Sequence, residues 1–201
     1  EDLAGIADLA YKVLNLYRKV TGKNNGKVTV SVSSFVPKAH SAFQWAPQCS
    51  IEEIERKQQY IKGLIRDKHI SYHYHDARTG RMEAAFARGD RRLGKVLYYA
   101  WKKGCKFDGW TEMFDYDKWN DSFADAGLEV DYFASRQRGE QEPFPWDHMS
   151  AGVAKAYLLN EWKKAHDEEL TDDCRRKRCT GCGVCPNLGV HIIDLKAGDG
   201  N

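Results

Sequence analysis

Residues 2–35, DLAGIADLAYKVLNLYRKVTGKNNGKVTVSVSSF, decide the fold class. Leu3, Ile6, Ala10, Val13, Leu14 and Tyr17 recur at helical spacing and give residues 2–20 one apolar face. Gly22 and the polar run after it end that helix. Lys27 to Phe35 then alternates Val28, Val30 and Val32 with Thr and Ser, the period of a strand with one covered face. Helix, glycine-bearing turn and strand make half of a repeating α/β unit. A lone strand leaves its backbone groups unpaired, so the unit needs neighbours.

Working outward, Val36 to Gln48 is irregular and holds Pro37 and Pro47. Ser50 with Glu53 three residues on is a capping box, and Ile51, Ile54, Ile61 and Ile65 give the helix behind it an apolar side. His69 to His75 alternates like a second short strand. Helical patterns follow from about Arg81, from Leu93 to a stop at Gly104, and around Trp119, Phe123 and Ala126 up to Gly127. Val130 to Phe133 reads as a turn. A last long helix is predicted over about Ser150 to Asp167, burying Val153, Tyr157, Leu158, Trp162 and Ala165, and His191 to Leu195 reads as a short strand. The fold class expected is α+β and helix-rich.

A hydrophobic fraction of 42% over 201 residues supports a real core. The net charge of +2 sets up no global field demanding nucleic acid or a membrane surface. No apolar run approaches the ~20 residues a membrane span needs. Four of the six cysteines are clustered, unlike the spread of a secreted disulfide scaffold, which places the chain in the reducing cytoplasm. The first residue is Glu1 and falls directly into a helical pattern, so the expectation is a piece of a longer protein.

The string CRRKRCTGCGVCP carries the strongest chemical signal. Cys174, Cys179, Cys182 and Cys185 fall within a short stretch, the last three spaced C-x2-C-x2-C with a proline directly after. Gly181 and Gly183 allow the tight turns that let thiolates converge. A [4Fe–4S] cluster fits the triplet, zinc fits the CTGCG turn, and disulfides are the third reading. The basic run Arg175 to Arg178 would offset the charge of four thiolates. Cys105 reads as a small buried hydrophobe.

Two other groups invite a functional reading. His69, His73 and His75 share one strand face and Asp76 follows, a pattern that binds metal or, more plainly, makes a polar strand surface. His40 stands in the irregular stretch after the first strand, where α/β folds meet ligands. Arg78 through Lys106 holds nine Lys or Arg against two acids, while Asp108 through Asp131 holds eight acids against one Lys. These runs are either two solvated faces that neutralise each other or, through Arg88, Arg91, Arg92 and Lys95, a surface for phosphate or RNA.

Four stretches carry a resemblance: VSVSSFVPKAHSAFQW (30–45), EAAFARGDRRLGKVLYYAWKKGCKFDGW (83–110), PWDHMSAGV (145–153) and CTGCGVCP (179–186). Together they resemble the C-terminal part of cobalamin-binding-domain radical SAM proteins of uncharacterised function, a bacterial group joined or adjacent to a small radical-SAM-linked domain. The resemblance implies three regions. Residues 1–48 would be the last αβ unit of a radical SAM barrel and its exit loop, 49–168 an α-helical substrate-facing region, and 169–201 a Cys-rich metal-binding segment.

It also implies that Ser33, Phe35 and Val36 lie near S-adenosylmethionine, and that upstream portions would bind it and cobalamin. The four cysteines would then hold an auxiliary [4Fe–4S] cluster or zinc, with His40, Arg88, Arg91 and Arg92 toward substrate. The chain departs from the family in two ways. It has no CxxxCxxC, so this stretch alone is expected to be inactive, and Ala39 and Ala42 stand where relatives have proline. The rival expectation is an RNA-binding module built on a zinc knuckle, with no redox chemistry.

Overall fold

The structure, a computed structural model, describes residues 1–191. The strand expected over His191 to Leu195 lies outside the described residues from its second position onward. The fold is α+β and helix-rich with one small two-stranded sheet. It divides into two compact units, one of residues 1–36 and 48–136, the other of residues 37–47 together with the chain from 137 onward.

The first unit begins with α1 (Asp2–Thr21), β1 (Val28–Val32), α2 (Ile51–Leu64) and β2 (Ile70–Tyr74). The two strands pair in parallel with Val28 opposite Ile70 and Val32 opposite Tyr74. Parallel neighbours need a crossover, and α2 supplies it. Ser50 accepts a hydrogen bond from the Glu53 backbone N–H at 3.2 Å, the cap that the sequence predicts. Ala10 and Leu14 of α1 pack on Ile70 with Val28 and Val30, so α1 covers the valine face of the sheet, and α2 packs beside α1. The opposite face presents Thr29, Ser31, Ser71 and His73, all exposed.

Burial follows the alternation because a strand sends successive side chains to opposite faces. No third strand is present among the described residues, so both sheet edges are open. The solvent side of α1 carries a second, aliphatic stripe of Leu9, Val13, Leu16 and Val20, all exposed.

The rest of this unit is helical: α3 (Ala77–Ala87), α4 (Leu93–Lys102), α5 (Tyr116–Asp125) and α6 (Val130–Ala134). Asp76 caps α3 by accepting from the Thr79 N–H at 2.8 Å, so α3 starts four residues before the Arg81 that periodicity predicts. The expected turn at Val130 to Phe133 is helix α6, whose Phe133 and Ala134 are buried. They join Ala84, Ala85, Leu93, Val96, Ala100 and Phe123 in the main core. Cys105 packs against that core and burial pushes its thiol pKa up, in keeping with a small hydrophobe.

In the second unit α7 (Lys155–His166) and the short α8 (Val184–Leu188) are joined by loops. Trp45, Phe144, Trp146, Leu158 and Trp162 form its core, tying residues 37–47 to the C-terminal part of the chain. Helix α7 begins later than the predicted Ser150, and Ala165 is exposed rather than buried. Gly152 sits at φ 82 and Ala154 is extended, conformations that cannot continue a helix toward the N-terminus.

Candidate functional site

The cysteine segment docks on the start of α7. The Ala154 N–H donates to the Cys182 carbonyl at 2.9 Å, and the Asn187 side-chain amide donates to the Gly152 carbonyl at 2.8 Å. The Tyr157 hydroxyl donates to Thr180 Oγ1 at 3.3 Å. Gly152 and Gly183 are both required here. Each has positive φ, and a Cβ at Gly152 would stand 2.9 Å from Leu188, one at Gly183 3.3 Å from the Gly152 carbonyl oxygen.

Cys174, Cys182 and Cys185 are half-buried, Cys179 is exposed, and none is in a disulfide. The Gly181 N–H donates to Cys179 Sγ at 3.5 Å, the backbone-to-sulfur bond that tight thiolate turns use to steady a ligand. The donor set and the turn therefore suit a soft metal or cluster. Among the described residues no three His, Cys, Asp or Glu side chains already converge as a metal's donor set. A metal would have to draw these thiols together, as in small sites that close on binding.

Beside this segment lies a cavity of about 390 Å³, lined by His40, Gln44, Asp147, Ser150, Lys155 and Asn187 among others. His40 stands at φ 54, a region that costs a non-glycine residue about 1–2 kcal/mol. Its N–H donates to Gln44 Oε1 at 3.2 Å, and the same oxygen accepts from Trp146 Nε1 at 2.8 Å. Lys155 Nζ donates to Asp147 Oδ2 at 2.5 Å and to the Glu142 carbonyl at 3.1 Å. Burial alone would push the Asp147 carboxyl up. The Lys155 ammonium and the Phe144 N–H outweigh it and hold the group below the usual carboxylate range.

The cavity thus offers an imidazole beside a polarised ion pair. Asp147 sits in the PWDHM stretch ahead of α7, and no spacing pattern in the sequence marks Gln44, Asp147, Lys155 or Asn187 as partners of His40.

The arginines expected to share one anion surface are divided by the fold. Arg88 is buried, and its guanidinium donates to the carbonyls of Phe133, Ala134 and Arg136. It therefore joins α3 to α6 rather than facing a ligand. Arg92 is exposed but pairs with Asp90 at 2.7 Å and lies over the Phe133 ring at 5.2 Å. Arg91 is exposed.

Ser33 and Phe35, just past β1, are exposed, and Val36 is half-buried against the main core. His69 lies before β2 and bonds Asp67 and Arg18, His73 is exposed on the polar sheet face, and Asp76 is occupied as a helix cap.

No protein-family model matches the chain, and no solved structure matches it. The uncharacterized protein MJ0966 of Methanocaldococcus jannaschii is 27% identical over 121 residues, which cover 58% of this chain and 26% of that protein. The matched stretch thus spans about a quarter of the length of this curated relative. Among the described residues no helix is long and apolar enough to cross a membrane.

Proposed function

We propose that this chain is the closing portion of a radical SAM enzyme of the cobalamin-binding kind. In this reading α1 to β2 complete its α/β barrel and the cysteine segment carries a second metal. The observation that carries the reading is the layout of the first unit. A parallel pair has α1 on its valine face, Thr29, Ser31, Ser71 and His73 exposed on the other, and a second aliphatic stripe on the outer side of α1. Barrel strands take this form, helices outside and ligand-facing residues inside, and an adjoining α/β unit covers such a stripe. The four sequence stretches that resemble the family add to it.

Cys174, Cys179, Cys182 and Cys185 would hold the metal; an iron–sulfur cluster there supplies one-electron chemistry. His40, with the Asp147–Lys155 pair, would position a polar substrate group at the cavity. Ser33 and Phe35, at the exit of β1, would stand near the nucleoside end of S-adenosylmethionine in the whole enzyme.

Two measurements test this. The reading frame upstream of Glu1 should encode CxxxCxxC; a start codon with no such triplet overturns the enzyme class. Reconstitution with iron and sulfide under anaerobic conditions should give a broad absorbance band at about 400 nm. A second reading, a zinc site, is favoured by the Gly181 N–H to Cys179 Sγ bond. A colourless protein holding one zinc per chain would decide for it.

A further inference from the structure

Two exposed apolar faces of the first unit differ in chemistry. The α1 stripe is aliphatic. The second, on α4 and the loop behind it, is aromatic: Tyr98, Trp101, Phe107 and Trp110 are 51, 69, 69 and 65% exposed. Tyr98 and Trp101 lie one helical turn apart with ring centroids 6.0 Å from each other, and the Lys102 ammonium sits 5.0 Å from the Tyr98 centroid. Phe107 is held at φ 59, a conformation bulky residues rarely adopt, and its ring stays exposed.

Charge has one sign as far as Phe107, after which Asp108, bonded by Trp119 Nε1, and Glu112 flank Trp110. From Arg91 to Phe107 there are six Lys or Arg and no acid. Arg92 and Lys103 are tied to Asp90 and Asp125, while Arg91, Lys95, Lys102 and Lys106 are exposed.

We propose that this face binds single-stranded nucleic acid. Exposed rings offer platforms on which successive bases stack, and the cations from Arg91 to Lys106, with no acid between them, follow a phosphate backbone. A face made to be buried against another part of a protein would instead have to desolvate four cations, which is costly without paired acids. A helix made to lie in a lipid interface buries its apolar stripe there, whereas the apolar stripe of α4, Leu93, Val96 and Ala100, is packed in the main core. Stacking and phosphate contact read no particular sequence, so recognition is for unpaired strands. The inference does not depend on the radical SAM reading, since it uses neither the cysteines nor the cavity.

The test is fluorescence anisotropy of the chain with labelled uridine- or thymidine-rich oligonucleotides of about 12 nucleotides, as RNA and as DNA. Both single strands should bind, with RNA and DNA affinities showing whether the 2′-hydroxyl is read, and duplexes should bind more weakly. Affinity should fall steeply between about 50 and 200 mM salt. Trp101→Ala and Trp110→Ala should each weaken binding roughly tenfold with unchanged circular dichroism. Lys102→Ala and Lys106→Ala should each lower the salt slope by about one.

Absence of binding by a folded chain would overturn the proposal, as would binding indifferent to Trp101→Ala and Trp110→Ala. Capture by vesicles containing anionic lipid that oligonucleotide does not displace would assign the face to a membrane. Self-association abolished by Trp101→Ala would assign it to a second copy.

Discussion

Trp146 Nε1 donates to Gln44 Oε1 at 2.8 Å across 102 residues of sequence, and both groups are buried. This bond, with the His40 N–H on the same oxygen, pins the strained His40 backbone to the aromatic core of the second unit. Gln44→Leu should destabilise the chain by about 2 kcal/mol, since it strands two donors. Trp146→Phe should cost about 1 kcal/mol from the hydrogen bond, with packing loss added. Urea unfolding of both single variants and the double variant checks this, the double costing less than the sum.

Arg88→Met should be among the most damaging single changes in the first unit, at about 3 kcal/mol or more. Three carbonyls in and after α6 lose a charged donor at once. Arg88→Lys should recover only part of this, because an ammonium lacks the planar fork that reaches all three. Thermal unfolding of the two variants gives the comparison. A loss equal to that of exposed Arg91→Met would contradict the structural assignment.

Asp67 gives the acid limb of stability a local source. The His69 N–H, then Arg18 and the His69 ring, hold its carboxyl down at about 2. A depressed folded-state value contributes stability above the unfolded value of about 3.9, lost as pH falls toward about 2. Asp67→Asn should therefore flatten the unfolding midpoint between about pH 4 and 2 relative to the parent chain. Denaturant midpoints across that range read it directly.

Gly152→Ala should undock the cysteine segment while leaving the first unit intact. The new methyl would meet Leu188 at 2.9 Å on a backbone at φ 82. Positive φ alone costs about 1–2 kcal/mol, so zinc or cobalt affinity should fall about tenfold. Trypsin cleavage in the Arg175 to Arg178 run should accelerate in the same variant.

Local features with one dominant cause were legible in the sequence. The valines of β1 alternate because one face is covered, and Ser50 with Glu53 forms the predicted cap. Where distant contacts decide, the reading falls short. Helix α7 starts late because Cys182, twenty-eight residues on, takes the Ala154 N–H and the docked segment needs Gly152 at positive φ.

Arg88 reads as a surface cation by composition, yet Ala77, Arg81, Ala84, Ala85 and Arg88 recur at helical spacing and are all buried. Small residues along that stripe leave room for long side chains to cross to α6. The cavity was invisible for a related reason. His40, Asp147, Lys155 and Asn187 come together only through folding of separated segments, and spacing cannot report that.

The open edges of the two-stranded sheet have a practical corollary for anyone who isolates this chain. Val28–Val32 and Ile70–Tyr74 each present a row of backbone donors and acceptors, and the helix packed on them, α1, bares the Leu9, Val13, Leu16 and Val20 stripe on its outer side. Proteins guard such edges because they template pairing between molecules. Colloidal behaviour thereby becomes a readout of architecture: light scattering should report concentration-dependent self-association that Leu16→Lys and Val20→Lys reduce.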